Sequence, residues 1–208
     1  MSTNTTSVWR KKLKELEIVV VIPTYNNGKT LAAVIEEVCR YADDIIVVND
    51  GSTDDTTNIL EQYPAIRTIT HPVNKGKGTA LKHGLSQAKK EGFRYAITID
   101  SDGQHFASDI PCFIEAIEKE PDTLLVGARN LASDNMPGKN TFANKFSNFW
   151  FRLETGLKLE DTQSGYRLYP LRKMDVQSCW YTAKYEFELE AIVFAAWGDV
   201  CLLYTSPS

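Results

Sequence analysis

Several familiar signatures are missing from this chain, and each absence closes a route. The four cysteines (Cys39, Cys112, Cys179 and Cys201) are scattered with no CxxC pair. A zinc site or disulfide frame therefore has no sequence basis, and the thiols are expected to be reduced. Positive charge is not in excess, with 23 Lys and Arg against 27 Asp and Glu and a net charge of −4. That removes the basic face a nucleic-acid partner needs. No apolar run reaches 18 residues, and the start MSTNTTSVWRKKLKELE has no apolar core of a leader, so a cytoplasmic chain without a span is expected. GKGT at Gly76–Thr79 lacks the spacing of a P-loop, and no GxGxxG follows the first apolar run. NTP hydrolysis and NAD chemistry lose their usual supports.

What is present is an ordinary globular composition: 208 residues, 43% hydrophobic and 24% charged, enough for one sizeable core. The chain divides into a polar N-terminal extension over 1–17, a domain over 18–200, and a tail over 201–208. The tail, CLLYTSPS, can be encoded by TGT CTC TTA TAC ACA TCT CCG AGC, which looks like read-through into a transposon-end sequencing adapter. The native sequence is accordingly expected to run only to about Val200 before departing, and the tail is left out of the functional reading.

Short apolar runs occur at Ile18 to Ile22, Ile45 to Val48, Ile66 to Ile69, Tyr95 to Ile99 and Leu124 to Val126, and they predict buried strands. Between them, Leu31, Val34, Ile35 and Val38 recur at helical spacing, as do Leu81, Gly84, Leu85 and Ala88, then Ile110, Phe113, Ile114 and Ile117. Ser52 and Asp55 have the spacing of a capping box opening a helix over Thr53 to Gln62. Alternating strands and helices predict an α/β fold with a mostly parallel sheet, covered on both faces, that binds ligands beyond the carboxyl ends of its strands.

The segments following the strands are PTYNNGK, NDGSTDD, HPVNKGKG, DSDGQH and GARN, all polar and most containing glycine. In ITIDSDGQHF, Ile97 to Phe106, the apolar run ends by crowding Asp100 and Asp102 into three residues. Such a pair repels itself, and in a low-dielectric setting one member is driven toward protonation unless a cation lies between them. The arrangement calls for a cation.

VVIPTYNNGKTL, IIVVNDGSTDDT, HPVNKGKGTALKHG, AITIDSDGQH and DTQSGYRLY, in this order over roughly Val19 to Arg172, resemble a family 2 glycosyltransferase of the GT-A fold. The branch they look most like is that of the dolichyl- and polyprenyl-phosphate mannosyltransferases. The resemblance implies that Asp100 and Asp102, with Gln104, hold Mg2+ or Mn2+ on the diphosphate of a nucleotide sugar, a GDP- or UDP-hexose; hard cations choose such oxygen ligands. It also implies that Pro23, Thr24, Tyr25, Asn27, Asp50, Lys77 and Ser101 line the donor site, with Tyr25 near the base and Asp50 on base or ribose. Asn27 departs from the glutamate that many relatives carry there. His105 is a further ligand possibility, weighed against loop packing.

The acceptor side offers two patterns. A lipid phosphate arrives largely ionised and calls for guanidinium clamps; the resemblance places Arg129 and Arg167 in that role. A saccharide hydroxyl must instead lose its proton, with Asp161 the first candidate base and Glu186 and Glu188 after it. The aromatic helical stretch Ala143 to Leu153, ANKFSNFWFRL, is either core or a peripheral membrane contact at the inner face of the cytoplasmic membrane. Two other classes, a nucleotidyltransferase and a noncatalytic sugar-nucleotide-binding module, fit less well: PTYNNGK is no Gly- and Arg-rich loop, and DSDGQ is intact.

Overall fold

The computed structural model describes residues 3–127, 164–174, 186–198 and 200–205. In chain order the elements are α1 (Thr3–Glu15), β1 (Ile18–Thr24), α2 (Gly28–Val38), β2 (Ile45–Asn49), α3 (Thr56–Glu61), β3 (Arg67–Thr70), α4 (Lys77–Lys90), β4 (Tyr95–Thr98), a single 3-10 turn (Ala107–Asp109), α5 (Ile110–Lys119), β5 (Leu124–Gly127), β6 (Arg167–Pro170), α6 (Glu186–Trp197) and β7 (Leu202–Thr205). The seven strands form one sheet in the order β3-β2-β1-β4-β6-β5-β7. Strands β1 to β4 pair in parallel, whereas β6 runs antiparallel to both β4 and β5.

β1 is buried along its whole length, because helices cover both faces of the sheet. One face packs Val20, Ile22, Val47 and Ile97 against Leu31 and Ile35 of α2 and Phe113 and Ile114 of α5. The other packs Val19, Val21, Ile46 and Val48 against Leu81 and Leu85 of α4 and Phe187, Ala191 and Ile192 of α6. Each such side chain taken wholly from water contributes about 2 kcal/mol. A strand buried on both faces needs apolar residues at every position rather than at alternate ones, and IVVVI supplies them.

Three expectations change on contact with the structure. The run at Ile66 to Ile69 becomes β3, which alternates half-buried and exposed residues because it lies at the sheet's edge and has a neighbour on one side only. The capping box does not form: Ser52 Oγ accepts from the Asn26 N–H at 3.0 Å instead, and α3 begins at Thr56 with no side-chain cap from Asp55. The polar extension is a helix docked on the domain. Trp9, Leu13 and Leu16 put an apolar stripe on one side of α1, with Leu13 in the core and the other two packed against it, and Lys12 reaches Glu118 at 2.6 Å. At the other end β7 extends the sheet beside β5. A sheet edge offers unpaired backbone groups to any extended apolar segment, so this pairing does not bear on the origin of CLLYTSPS.

Candidate functional site

The strand order reverses at β1, with β2 on one side and β4 on the other, and an open sheet binds its ligand at such a switch point. A cleft of about 610 Å³ opens there, lined by Pro23, Thr24, Tyr25 and Asn27 after β1, Asp50 after β2, Asn74, Gly76 and Lys77 entering α4, and Asp100, Ser101 and Asp102 after β4. The donor-site expectations therefore converge on one place.

One end of the cleft is built around Asp50, which is 2% exposed. Its Oδ1 lies 2.6 Å from His71 Nδ1 and accepts the Lys75 N–H at 3.0 Å, while Oδ2 accepts the Gly76 N–H at 2.8 Å. A carboxylate has about four acceptor positions, and these contacts take three. Gly51, next in the chain, has φ of +72°, and a Cβ there would stand 2.4 Å from the Val73 carbonyl carbon. Only glycine brings the loops after β2 and β3 this close. Asn26 stitches the β1 and β2 loops together, its side-chain oxygen accepting the Thr53 N–H at 2.8 Å. Tyr25 stands 44% exposed at the cleft's lip.

The other end is built around Asp100. Lys77 Nζ lies 2.8 Å from Asp100 Oδ1, 2.9 Å from its Oδ2 and 2.8 Å from Glu188 Oε1. Burial pulls the Lys77 ammonium toward deprotonation, but the two carboxylates outweigh it and hold the group above the ordinary lysine range. The cluster closes over Gly165. A Cβ on Gly165 would stand 2.6 Å from Asp100 Oδ2, 2.8 Å from Lys77 Nζ and 2.9 Å from Glu188 Oε1. Ser101 is buried and braced, its hydroxyl accepting from Asn27 Nδ2 at 2.8 Å and its carbonyl from the Thr30 hydroxyl at 2.6 Å. Asn27 thus fixes the residue between the two aspartates.

Asp102 and Gln104 are exposed, and Asp102 Oδ1 accepts the Gln104 N–H at 2.9 Å. Two carboxylates and an amide on one short loop form an all-oxygen donor set of the kind Mg2+ or Mn2+ selects. Asp100 lines the cleft with its side chain 20% exposed. The residues present fit such an ion.

SGYR supports this end from beneath. The Tyr166 hydroxyl donates to the Phe106 carbonyl at 3.1 Å, and its ring packs on His105 and Phe113 with centroids 5.2 and 4.7 Å away. His105 thus sits in the packing of the metal-motif loop. Arg167, expected as a phosphate clamp, is completely buried. Its guanidinium donates to the Ser164 carbonyl at 2.6 Å and to the Glu188 carbonyl. These contacts anchor the backbone of Ser164 and Glu188.

Arg129, Asp161 and the stretch Ala143 to Leu153 lie outside the described residues. Glu186 opens α6. Glu188, a secondary candidate base, is 4% exposed and its carboxylate lies 2.8 Å from Lys77 Nζ. His71, His83 and Gly165 lie inside the segments HPVNKGKGTALKHG and DTQSGYRLY, but nothing local marks them as site residues, since histidines at spacing 12 and a glycine in SGYR converge only through the fold. The rule that buried carboxylates need partners is the one available hint.

The model of glycosyl transferase family 2 matches residues 19–176. The UDP-N-acetylglucosamine–dolichyl-phosphate N-acetylglucosaminyltransferase of Methanococcus voltae is 32% identical, over 86% of this chain and 79% of that protein. The polyprenol monophosphomannose synthase of Mycolicibacterium smegmatis is 27% identical over 76% of this chain and 64% of that one. A dolichyl-phosphate beta-glucosyltransferase of Trichomonas vaginalis is 28% identical over 72% of this chain, which spans about half of that protein's length (52%). Among solved structures, glucosyl-3-phosphoglycerate synthase from Mycobacterium tuberculosis, in complex with Mn2+, UDP and phosphoglyceric acid, superposes with a TM-score of 0.73 at 21% identity, covering 97% of this chain and 72% of that one. At that identity the likeness concerns the fold. With the family model spanning most of the chain and the switch-point cleft carrying its motif residues, the protein belongs to glycosyl transferase family 2.

Proposed function

We propose that the protein transfers a hexose, with inversion, from a GDP- or UDP-activated donor to a polyprenyl-phosphate-type lipid, using Mg2+ or Mn2+. The observation that carries the reading is the convergence of Asp50, Lys77, Asp100 and Asp102 on one cleft at the switch point. The names of relatives that act on dolichyl and polyprenyl phosphates support the acceptor class.

Asp50 keeps one acceptor position for a hydroxyl or N–H of the nucleoside, while the exposed ring of Tyr25 gives a base a surface to stack on. Asp100, Asp102 and Gln104 would hold the ion, which, when bound, stabilises the charge growing on the departing nucleoside diphosphate. Lys77 stays charged beside them, so its ammonium reinforces the same stabilisation. Asn27 and Thr30 keep Ser101, and with it the spacing of the two aspartates, from shifting. An ionised phosphate acceptor needs no general base, which suits a site whose buried carboxylate Glu188 is already paired. Arg129 is the guanidinium left for that acceptor. Among the described residues no helix is long and apolar enough to cross a membrane; the lipid would be met at the inner face of the cytoplasmic membrane, with Ala143 to Leu153 as the contact.

The test is transfer from GDP- and UDP-hexoses, with Mn2+ or Mg2+, to a polyprenyl phosphate and in parallel to saccharides. Turnover on the lipid phosphate, an acceptor KM raised roughly tenfold or more by Arg129→Ala, and retained turnover in Asp161→Asn are expected. An inert lipid phosphate combined with saccharide transfer that Asp161→Asn eliminates defeats the reading.

A further inference from the structure

Behind Asp50 runs a second line of contacts that leads out of the cleft. His71 is 4% exposed and joins two partners at once: its Nδ1 lies 2.6 Å from Asp50 Oδ1, and its Nε2 lies 2.7 Å from Nδ1 of His83 on α4. The two rings meet edge to face, 87° apart with centroids 4.7 Å away. His83 is exposed. A chain of three titratable groups thus connects solvent on the α4 side to the carboxylate at the nucleoside end of the cleft.

Elementary bookkeeping fixes the protons. A carboxylate accepts, so His71 carries its hydrogen on Nδ1; its Nε2 then accepts, so His83 also carries its hydrogen on Nδ1. In that neutral arrangement every contact has one donor and one acceptor, and Nε2 of the exposed His83 is left as the only basic atom of the pair. One added proton can be taken without breaking a contact. A second would set two N–H groups against each other across 2.7 Å. The charged groups acting on His83 besides its partner are Asp50 from the loop after β2, Lys75 from the loop preceding α4, and Lys90 from the last turn of α4. Burial, His71 and then Lys75 hold the His83 ring below the ordinary histidine range.

We propose that His71 and His83 are positioning residues for nucleotide binding: they fix the rotamer of Asp50, hence the Lys75 and Gly76 backbone it grips, and they make donor affinity respond to protonation outside the cleft. The inference rests on the donor reading above. It goes beyond it in assigning a pH response to two residues that touch no substrate. Acidification delivers a positive charge next to Asp50, which drains the carboxylate's accepting strength toward His71 and away from the nucleoside.

The experiment is calorimetric titration of the full chain with UDP and GDP, each with Mn2+, from about pH 7.5 to about pH 5.5, on the parent and on His83→Gln. The nucleotide's own phosphate titrates identically against both proteins, so the difference between their profiles isolates the relay. The parent is expected to lose roughly tenfold more affinity than the variant over that range, the equivalent of one charge-assisted hydrogen bond, whatever constant offset the lost His83 contact gives the variant at the upper end. Superimposable profiles overturn the proposal. Absence of nucleotide binding by the parent at every pH defeats the donor reading and the relay together. Nitrogen-detected NMR of the parent's imidazoles is a second measurement independent of any variant. Both rings protonated on Nδ1, with the His71 signals moving on nucleotide addition, support the relay; a His71 hydrogen on Nε2 overturns it.

Discussion

Asp50 and Asp100 stand at opposite ends of one cleft and are held there by different means. Asp50 is gripped mainly by groups no more than 26 residues further along the chain: two backbone N–H groups and one imidazole. Asp100 is gripped by an ammonium that a second carboxylate shares, and the cluster forms only because Gly165, far away in sequence, has no side chain. Backbone donors cannot leave without the loop unfolding, whereas Lys77 can change partners by rotating a side chain. The difference separates a carboxylate locked to loop backbone from one held only by side chains.

Substituting each carboxylate breaks the comparison at its two ends. Asp100→Asn should abolish transfer, lowering kcat by more than about a hundredfold, the upper end for residues that only orient a metal's ligands. Its thermal midpoint should stay near the parent's, because the amide still fills the space and Lys77 keeps Glu188. Kinetics together with a melting curve check both halves, and retention of turnover and of EDTA sensitivity would remove Asp100 from the metal site.

Gly165→Ala sharpens the contrast without removing any charge. The new methyl pushes on Asp100, Lys77 and Glu188 together, at 2.6 to 2.9 Å. All three are side-chain ends that can yield, so the expected result is a displaced cluster in a folded protein. Misplacement of that order costs roughly tenfold to a hundredfold in kcat/KM. Unchanged kcat/KM would show that the cluster's geometry is irrelevant to turnover.

Asp50→Ala should give the smallest loss in turnover and the largest loss in stability. The Lys75 N–H and the His71 ring would each lose an acceptor, while the Gly76 N–H keeps Asn74 Oδ1 at 2.9 Å, and an unsatisfied buried donor costs about 1 to 3 kcal/mol. Nucleotide affinity should drop by roughly tenfold, one charge-assisted bond's worth, and denaturant unfolding should show the destabilisation. A variant as stable as the parent that nevertheless fails to bind would reverse the assignment, making Asp50 a ligand contact first and a scaffold second.

Much of this is legible in the sequence for a physical reason. β1, β2 and β4 are buried on both faces, so their runs are apolar throughout, and the polar segments after them must come together at one edge of a parallel sheet. Asp100 and Asp102, two residues apart, announce a cation before any fold is known. Arg167 misleads because a guanidinium in SGYR looks like an anion clamp until it is found wholly buried and donating to the Ser164 and Glu188 carbonyls. The helix α1 escapes notice although Trp9, Leu13 and Leu16 carry its stripe, since the surrounding lysines and hydroxyl residues mask it.

By itself the sequence determined which local elements form, on which loops the charged residues fall, and that two neighbouring aspartates need a positive partner. Those properties depend on periodicity and on short spacing. Tertiary structure alone decided which partner each carboxylate received: Lys77 and Glu188 for Asp100, His71 and His83 behind Asp50, and an empty Cα at Gly165 to let the first cluster close. Partners drawn from segments up to 111 residues apart, as Lys77 and Glu188 are, leave no local pattern, because burial makes a charge find a counter-charge in space rather than along the chain.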